Sequence, residues 1–374
     1  MRFPSVVTIA VLLLSVQSYG SSPPVFNTEE GWTAATEAQI NARIGQLRLP
    51  FSPKSTSGVI NYVKDYVVVG VTETEVMLGR SFFFMPVFEH YLGLYQLPQE
   101  LKYLPMVESG LKTDTRSSAG ARGLWQLMEV TARQYKLQVS EVADERLDPF
   151  KSTEAAMQIL SDLYDQYQDW PLTIAAYNCG PGRVNKAIRL AGCKDYDEVS
   201  RFLPVETQRY VPAFVAAAYV HKHYGDHNLS PRAFEPAEGG VRVFKISSAL
   251  NLSQVAKACN VSYSVLRQLN PAFPSGVVPA SSTGYYLTIP AAASKVFRAW
   301  LGNKQGYNHS IYADNEAYHT TYVTASGDGI ELVARRFQVS VEDIMRWNNL
   351  KVREIVVNQE LNIYLSKEFL LRRV

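Results

Sequence analysis

The stretch that decides the fold is LPMVESGLKTDTRSSAGARGLWQLM, residues 104–128. Glu108 lies in it among apolar residues, near the end of a predicted helix. Burial among apolar neighbours raises the pKa of a carboxyl group and keeps it protonated near neutral pH, as a general acid requires. A lone glutamate in this setting is usually a structural, salt-bridged residue, so its neighbours carry the interpretation. The run 117–123 is rich in serine and glycine, and Trp125 and Gln126 offer a ring and an amide suited to a sugar.

Outward from this stretch, residues 88–225 have a helical pattern. Apolar residues between 155 and 167 recur at the i, i+3, i+4 spacing of one helix face. Pro171 begins another helical segment, Gly180-Pro181-Gly182 interrupts the pattern, and a last apolar helix ends at Gly225. The spacing predicts an all-helical domain.

Composition excludes several classes of protein. The 374 residues leave room for two or three domains, and 47% apolar with 19% charged residues is ordinary globular usage. A net charge of +2 gives no strong field for collecting nucleic acid, so no nucleic-acid partner is expected. The 22 tyrosines and 5 tryptophans are ample for surfaces that stack on sugars.

Residues 1–20 are typical of a secretory signal peptide. Arg2 precedes an apolar run at 6–16, and Ser18 and Gly20 are small residues at the positions that an export peptidase reads. The run is too short to span a bilayer, and no lipobox cysteine follows it. We expect an exported protein of the periplasm or cell envelope, soluble or wall-associated, with no integral membrane span.

The remaining regions differ in composition. Residues 21–87 have a mixed pattern with proline breakers and predict only some helix, while residues 226–240 are rich in proline and glycine and predict a linker. Beyond that linker, the stretches 241–290 and 317–366 share the order strand, helix, helix, strand, with a second linker at 291–316. The pattern predicts a pair of small modules.

The second of these stretches is similar to a LysM module. Ser326-Gly327-Asp328 leads its first helix, Trp347-Asn348-Asn349-Leu350 follows the second, and Gln359-x-Leu361-x-Ile363 closes the sheet. The first stretch keeps Leu269-Asn270-Pro271 but lacks the Ser-Gly-Asp turn, so it resembles a degenerate copy. The resemblance implies binding to glycans that contain N-acetylglucosamine. The alternative is a packing domain with no glycan affinity.

The helical region resembles the lytic transglycosylases with an SLT catalytic domain, which has a lysozyme-like fold. Four motifs in order carry the resemblance: Glu108-Ser109; Ser117 with Gly120-Ala121-x-Gly123-Leu124-Trp125-Gln126-x-Met128; Ala175 to Gly182; and Glu206-Thr207-x-x-Tyr210-Val211-Pro212. Trp125 and the run 144–149 resemble the membrane-bound D type, which also ends in LysM modules. The expected fold class is an all-α lysozyme-like domain followed by two small βααβ modules.

The resemblance also implies residue roles. Glu108 would be the catalytic acid and base, Ser117 would hydrogen-bond its carboxyl group, and Tyr210 would close the cleft near it. Four further residues would line the sugar sites, namely Gln126, Met128, Tyr177 and Asn178. The implied partner is the peptidoglycan glycan strand, with no cofactor and no metal.

The mechanism depends on whether a second carboxylate is present. Hydrolases with two carboxylates need an Asp or Glu at ~5 to 9 Å from the acid. The nearby candidates are Asp114 and Glu129, and neither has a motif behind it. With Glu108 alone, the C6 hydroxyl of N-acetylmuramic acid can attack, which gives a 1,6-anhydro sugar. A hydrolytic muramidase on the same fold and a non-catalytic wall-binding protein remain the alternatives.

Two weaker signals remain. Cys179 and Cys193 could pair across a short loop and leave Cys259 odd, or all three could be free thiols. The run HKHYGDH, residues 221–227, could suggest a metal, but histidines two apart do not share a helix face, and positive charge is favourable at a helix C-terminus.

Overall fold

The computed structural model describes residues 31–232, 241–282, 284–302, 317–325, 327–337 and 339–366. The predicted signal peptide, residues 303–316 of the second predicted linker, and Ser326 lie outside the described residues. Among the residues described, no helix is both long and apolar enough to cross a membrane.

The first part of the chain is helical. Its α-helices are α1 Ala34–Ile44, α2 Ser57–Lys64, α3 Val71–Leu94, α4 Leu104–Ser109, α5 Glu129–Gln134, α6 Pro149–Tyr167, α7 Trp170–Cys179, α8 Pro181–Ala191, α9 Tyr196–Ser200 and α10 Val205–His223. A π-helical turn at Asp65–Val69 links α2 to α3, and 3-10 turns occur at Gln99–Tyr103, Glu145–Leu147 and Tyr224–His227.

Two long helices, α3 and α10, form the centre of this helical part. Residues 83–88 of α3 are buried on every side, as are residues 213–220 of α10, which is the pattern of a helix inside a core and not of a surface helix. The domain boundary expected at residue 88 falls inside α3. Residues 34–87 therefore pack with the helical part, because α3 cannot be divided without opening the core.

The first module spans β1 Val241–Ile246, β2 Leu250–Asn251, α11 Leu252–Cys259, α12 Tyr263–Leu269, β3 Val277–Val278, β4 Tyr285–Pro290 and α13 Ser294–Gly302. Strands β1 and β4 are antiparallel, with Phe244 opposite Leu287. The sequence prediction of a linker beginning at residue 291 is wrong here. Phe297 and Leu301, four residues apart on α13, are fully buried in the core of the module.

The second module consists of β5 Ala317–Val323, α14 Ile330–Phe337, α15 Val341–Trp347 and β6 Glu360–Ser366. Strands β5 and β6 are antiparallel, with Tyr322 opposite Leu361. The predicted fold class, a helical domain followed by two small βααβ modules, is confirmed.

Both modules pack against the helical part. The ring of Phe82 on α3 lies 5.7 Å from that of Tyr322 and 5.8 Å from that of Phe337, measured between centroids. On the first module, the Tyr286 ring lies 5.3 Å from the ring of Phe150. The described parts of the chain therefore form contacts that the predicted linkers do not suggest.

Candidate active site

Glu108 lies in the last turn of the short helix α4. Pro105 stands in the first turn, where its missing N–H costs nothing, and Gly110 ends the helix with a left-handed φ of 57°. The Ser109 hydroxyl is buried and contacts the carbonyl oxygens of Pro105 and Leu124, each at 3.0 Å. These contacts fix the helix end that carries Glu108 against the Leu124 turn.

The carboxyl group of Glu108 meets α10. The Tyr210 hydroxyl donates a hydrogen bond to Glu108 Oε1. Burial raises the pKa of Glu108 to about 7, with the Tyr210 hydrogen bond opposing that change and the negative charge of Glu206 adding to it. A carboxyl group with this pKa is protonated in part of the molecules at neutral pH, so it can donate a proton and later accept one.

Tyr177, on α7, joins the same cluster. Its hydroxyl donates to the backbone oxygen of Trp125 at 2.8 Å. Burial, followed by the nearby charge of Glu108, raises the pKa of Tyr177 and of Tyr210 well above the ordinary tyrosine value. Both phenols therefore remain proton donors over the whole range in which Glu108 titrates.

Asn178 follows Tyr177 at the end of α7, where Gly180 turns the chain with a φ of 85°. The Asn178 side-chain oxygen accepts a hydrogen bond of 2.7 Å from the hydroxyl of Thr207 on α10. The motif containing Thr207 was visible in the sequence, but its role was not. Thr207 orients the amide of Asn178, just as Ser109 fixes the helix end of Glu108.

The residues from 115 to 128 form a tight turn beside Glu108. The backbone groups of Arg122 and Leu127 exchange two hydrogen bonds of 3.1 Å. The Gln126 side-chain nitrogen donates to the carbonyl oxygens of Thr115 at 3.2 Å and Gly123 at 2.8 Å. The amide nitrogen of Gln126 is therefore committed to holding the turn.

Ser117 differs from its predicted role. Its hydroxyl oxygen accepts a hydrogen bond of 3.0 Å from the Ala121 N–H, a contact within the turn. In the part of the chain that the structure describes, the hydrogen bond to Glu108 comes from Tyr210 instead. A serine hydroxyl in a turn can accept a hydrogen bond from the backbone N–H three or four residues later, and Ser117 does so here.

Trp125 does not offer its ring to a sugar, as the sequence suggested. The side chain is fully buried, and its indole N–H donates to the Thr153 hydroxyl at 2.9 Å. Its ring meets that of Phe88 edge to face, with centroids 5.2 Å apart. Trp125 is a core residue that anchors the turn to α3 and α6 through these contacts.

Met128, at the end of the turn, is 43% exposed and therefore accessible to a ligand. The two candidate second carboxylates are on the surface: Asp114 is exposed, and exposed Glu129 forms an ion pair of 2.8 Å with Arg133. The carboxylate whose charge acts on Glu108 is instead that of Glu206, in the first turn of α10. Sequence reasoning did not consider Glu206 as an electrostatic neighbour of the acid.

The histidines of the run 221–227 and the cysteines were candidates for a metal site and a disulfide. His223 Nδ1 lies 3.0 Å from an Asp226 oxygen, and His227 Nε2 lies 2.9 Å from the Tyr219 hydroxyl. In the described ranges, no three His, Cys, Asp or Glu side chains come together as a metal site. Cys179 and Cys193, which could have formed a disulfide, are both free thiols, so that pairing is absent.

Three family models match the chain. The Transglycosylase SLT domain matches residues 88–200, the LysM-like domain of lytic transglycosylase MltD matches residues 241–304, and the LysM domain matches residues 322–363. The resemblance seen in the motifs is thereby confirmed.

Curated proteins with similar sequences include a lytic murein transglycosylase. Membrane-bound lytic murein transglycosylase D of Escherichia coli strain K12 is 33% identical over 273 residues, which are 71% of this chain and 60% of that protein. A putative tributyltin chloride resistance protein of Alteromonas sp. strain M-1 is 41% identical over 93 residues, 25% of this chain and 45% of that protein. The chain thus spans about 60% of the length of the curated transglycosylase that it matches.

Two solved structures are also similar. An inactive mutant of the lytic transglycosylase Slt from Pseudomonas aeruginosa is 25% identical, with a TM-score of 0.32 over 36% of this chain and 24% of the other. The 70 kDa soluble lytic transglycosylase of Escherichia coli is 24% identical, with a TM-score of 0.32 over 37% of this chain and 24% of the other.

Proposed function

Residues 88–200 belong to the transglycosylase SLT domain family, and from this premise we propose that the chain cleaves peptidoglycan glycan strands. The bond is the β-1,4 linkage between N-acetylmuramic acid and N-acetylglucosamine, and the product carries a 1,6-anhydro-N-acetylmuramic acid end. One observation carries the proposal: Glu108, in contact with Tyr210, has a pKa raised by burial to about 7.

The first step needs an acid. Protonated Glu108 donates its proton to the glycosidic oxygen as the bond to the C1 atom of N-acetylmuramic acid breaks, so the leaving sugar departs as an alcohol. The N-acetyl group of the substrate stabilises the positive charge that develops at C1. The Tyr210 hydroxyl then donates to the newly formed carboxylate, and a hydrogen bond to the charged form stabilises it.

The second step returns the proton. The Glu108 carboxylate takes the proton of the C6 hydroxyl while the C6 oxygen bonds to C1, which closes the anhydro ring and regenerates the acid. No water is consumed. A pKa of about 7 suits both steps, because the same group must give a proton and accept one at a similar pH.

Ring closure is favoured over hydrolysis by the surroundings of Glu108. A water nucleophile needs a base on the opposite face of the sugar. Glu129 is engaged with Arg133 at the surface, and Asp114 is exposed in a polar loop. Neither is held in a buried, polar setting of the kind that positions a catalytic carboxylate.

The remaining roles follow from position. Met128 is exposed at the end of the turn and would contact a sugar face, and the side-chain oxygen of Gln126 would accept a hydrogen bond, since the nitrogen holds the turn. Tyr177 and Asn178 would border the site from α7. For Ser117, the contact with Ala121 supports a role in shaping the turn.

We propose that the protein acts in the cell envelope. We assign residues 1–20 to the export signal, the helical part to catalysis and the residues 317–366 to glycan binding. The match of that last region to the LysM domain supports the assignment.

Mass analysis of products from purified peptidoglycan tests the proposal. We expect new ends that weigh one water less than reducing ends, from the earliest time points. Reducing N-acetylmuramic acid ends would establish a hydrolytic muramidase, and binding without cleavage would establish a wall-binding protein. The Glu108→Gln variant, prepared identically, controls for contaminating enzymes, because its preparation must yield neither product.

A further inference from the structure

We propose that the first module, residues 241–302, positions the active-site turn at 115–128, and that Asp144 and Arg146 are the positioning residues through which it acts. The inference rests on the proposed function of the helical part and adds a role for a module whose family resemblance suggests glycan binding alone. Four sets of contacts support it.

The first set is a buried ion cluster. Asp144 is 2% exposed and Arg146 is 4% exposed. The guanidinium group of Arg146 donates two hydrogen bonds to the Asp144 carboxylate, Nε to Oδ1 at 2.8 Å and Nη2 to Oδ2 at 2.7 Å. Arg122, within the turn, adds a third contact to Asp144 Oδ2 at 3.2 Å. Buried charges of this kind need complete pairing, so the geometry tolerates little movement.

The second set joins this cluster to the turn. Arg146 Nη1 donates to the carbonyl oxygens of Gly120 at 3.1 Å and Leu127 at 3.4 Å, one in each arm of the turn. Gly123 packs so closely that a Cβ atom placed on it would lie 2.0 Å from the Arg146 backbone oxygen. The turn and the residue Arg146 are therefore in direct backbone contact.

The third set joins the same segment to the first module. The Asp144 N–H donates to the backbone oxygen of Ala272 at 2.8 Å, and the Tyr285 hydroxyl donates to the Gln138 side chain. The Lys151 ammonium lies 4.3 Å from the centre of the Tyr285 ring. Asp144 thus holds Arg146 with its side chain and the module with its backbone.

The fourth observation concerns apolar packing. Ala143 and Leu147 belong to the helical part in sequence, but they are buried in the hydrophobic cluster of the first module. The residues on both sides of Asp144 and Arg146 are therefore core residues of the module. Separating the module from the helical part would expose them to water and release the segment that carries the ion cluster.

The turn transmits this positioning to the catalytic group. Leu124 accepts the hydrogen bond from Ser109, the residue next to Glu108, and the Trp125 backbone oxygen accepts the one from Tyr177. A shift of the turn would therefore displace both the acid-bearing helix end and the bordering tyrosine. A displacement of ~1 Å in such a site costs about 10²-fold in rate.

The test uses the full chain and two variants. Tyr286→Asp places a charge against the buried ring of Phe150, which should separate the module from the helical part. Arg146→Lys keeps the charge but cannot form the bidentate hydrogen bonds to Asp144. Val296→Asp is the control, since it adds the same charge to the first module at a position on α13 that is 49% exposed.

Hydrogen exchange gives a readout that does not depend on activity. In both Tyr286→Asp and Arg146→Lys, we expect the amides of Arg122, Gly123 and Leu127 to exchange at least tenfold faster, while those of β1 and β4 remain protected. Retained protection of β1 and β4 shows that the module is folded. Unchanged exchange of the turn amides in both variants would overturn the inference.

Kinetics on soluble glycan fragments give the second readout. We expect kcat/KM to fall at least tenfold in both variants, with a raised KM, and to be unchanged in Val296→Asp. A merely structural role would lower the active fraction and leave KM alone, which would contradict positioning. If the wild-type chain cleaves nothing, the proposed function fails, whereas an active wild type with unaffected variants refutes only the positioning role.

Discussion

The Tyr210 hydroxyl donates a hydrogen bond to Oε1 of Glu108, although 102 positions separate the two residues in the chain. This bond favours the charged carboxylate, whereas burial favours the neutral acid, and burial has the larger effect on the pKa. The pKa of Glu108 is thus the result of two opposing influences that can be changed separately.

Removing the phenol hydroxyl should raise the pKa of Glu108 further. In Tyr210→Phe the stabilising bond to the carboxylate is lost while the ring and its packing stay, so the alkaline limb of kcat/KM should move to higher pH. A pH profile on soluble glycan fragments measures this. Tyr177→Phe is the control, since its hydroxyl contacts the Trp125 oxygen, and its limb should stay in place. Movement toward lower pH in Tyr210→Phe would contradict the assignment.

Removing the charge of Glu206 should have the opposite effect. The negative charge raises the pKa of Glu108, so Glu206→Gln should move the alkaline limb to lower pH by a fraction of a pH unit. The shift should shrink as salt is added, because Glu206 is exposed. Glu198→Gln, which changes another exposed glutamate in an ion pair with Arg201, should leave the profile unchanged.

Replacing the acid should abolish cleavage. Glu108→Gln keeps the size of the side chain but cannot donate the proton, so the rate should fall by at least ~10² to 10⁴. Activity is measured on purified peptidoglycan with a folded variant confirmed by circular dichroism. Asp114→Asn and Glu129→Gln should keep near wild-type rates, and a large loss in either would identify an overlooked second carboxylate.

The same substitution should change how stability depends on pH. The pKa of Glu108 in the folded chain, about 7, is above its ordinary value of 4.5, so the folded state holds a proton that the unfolded state releases between these pH values. Wild-type unfolding free energy should therefore fall from pH 4.5 toward pH 7. At about 1.4 kcal/mol per pH unit, the change is about 3 kcal/mol.

Glu108→Gln does not titrate, so its stability relative to wild type should rise by about that amount between pH 4 and pH 8. Urea unfolding at the two pH values measures the difference. An equal difference at both values would mean that Glu108 titrates normally in the folded chain.

The placement of Glu108 at a buried helix end was largely predictable from the sequence. Glu108 stands among apolar residues before a helix-ending glycine, and local rules of burial and capping apply directly to such a pattern. Tyr210 could be assigned only through a motif, because nothing local indicates which distant helix will face a carboxyl group.

Other features could not be predicted because they depend on which distant residues a side chain contacts in the folded chain. Trp125 suits a sugar or a core equally well, and only the three-dimensional packing on Phe88 decides between them. The packing of the two modules on the helical part depends on single residues such as Phe82 and Tyr286. No periodic pattern in the sequence identifies them. The helix α13 was missed because its nine residues are fewer than the roughly 11 to 18 over which an amphipathic pattern is read.

The packing of Tyr322 and Phe337 on Phe82 sets the distance between the second module and the helical part that carries Glu108. A binding module on a free linker searches a volume that the length of the linker defines. Under the proposed function, a module packed on α3 would instead present any glycan strand that it binds at one fixed distance from Glu108. Successive cuts along one strand would then be spaced by the geometry of the protein, and a new cutting position would require the module to release its hold.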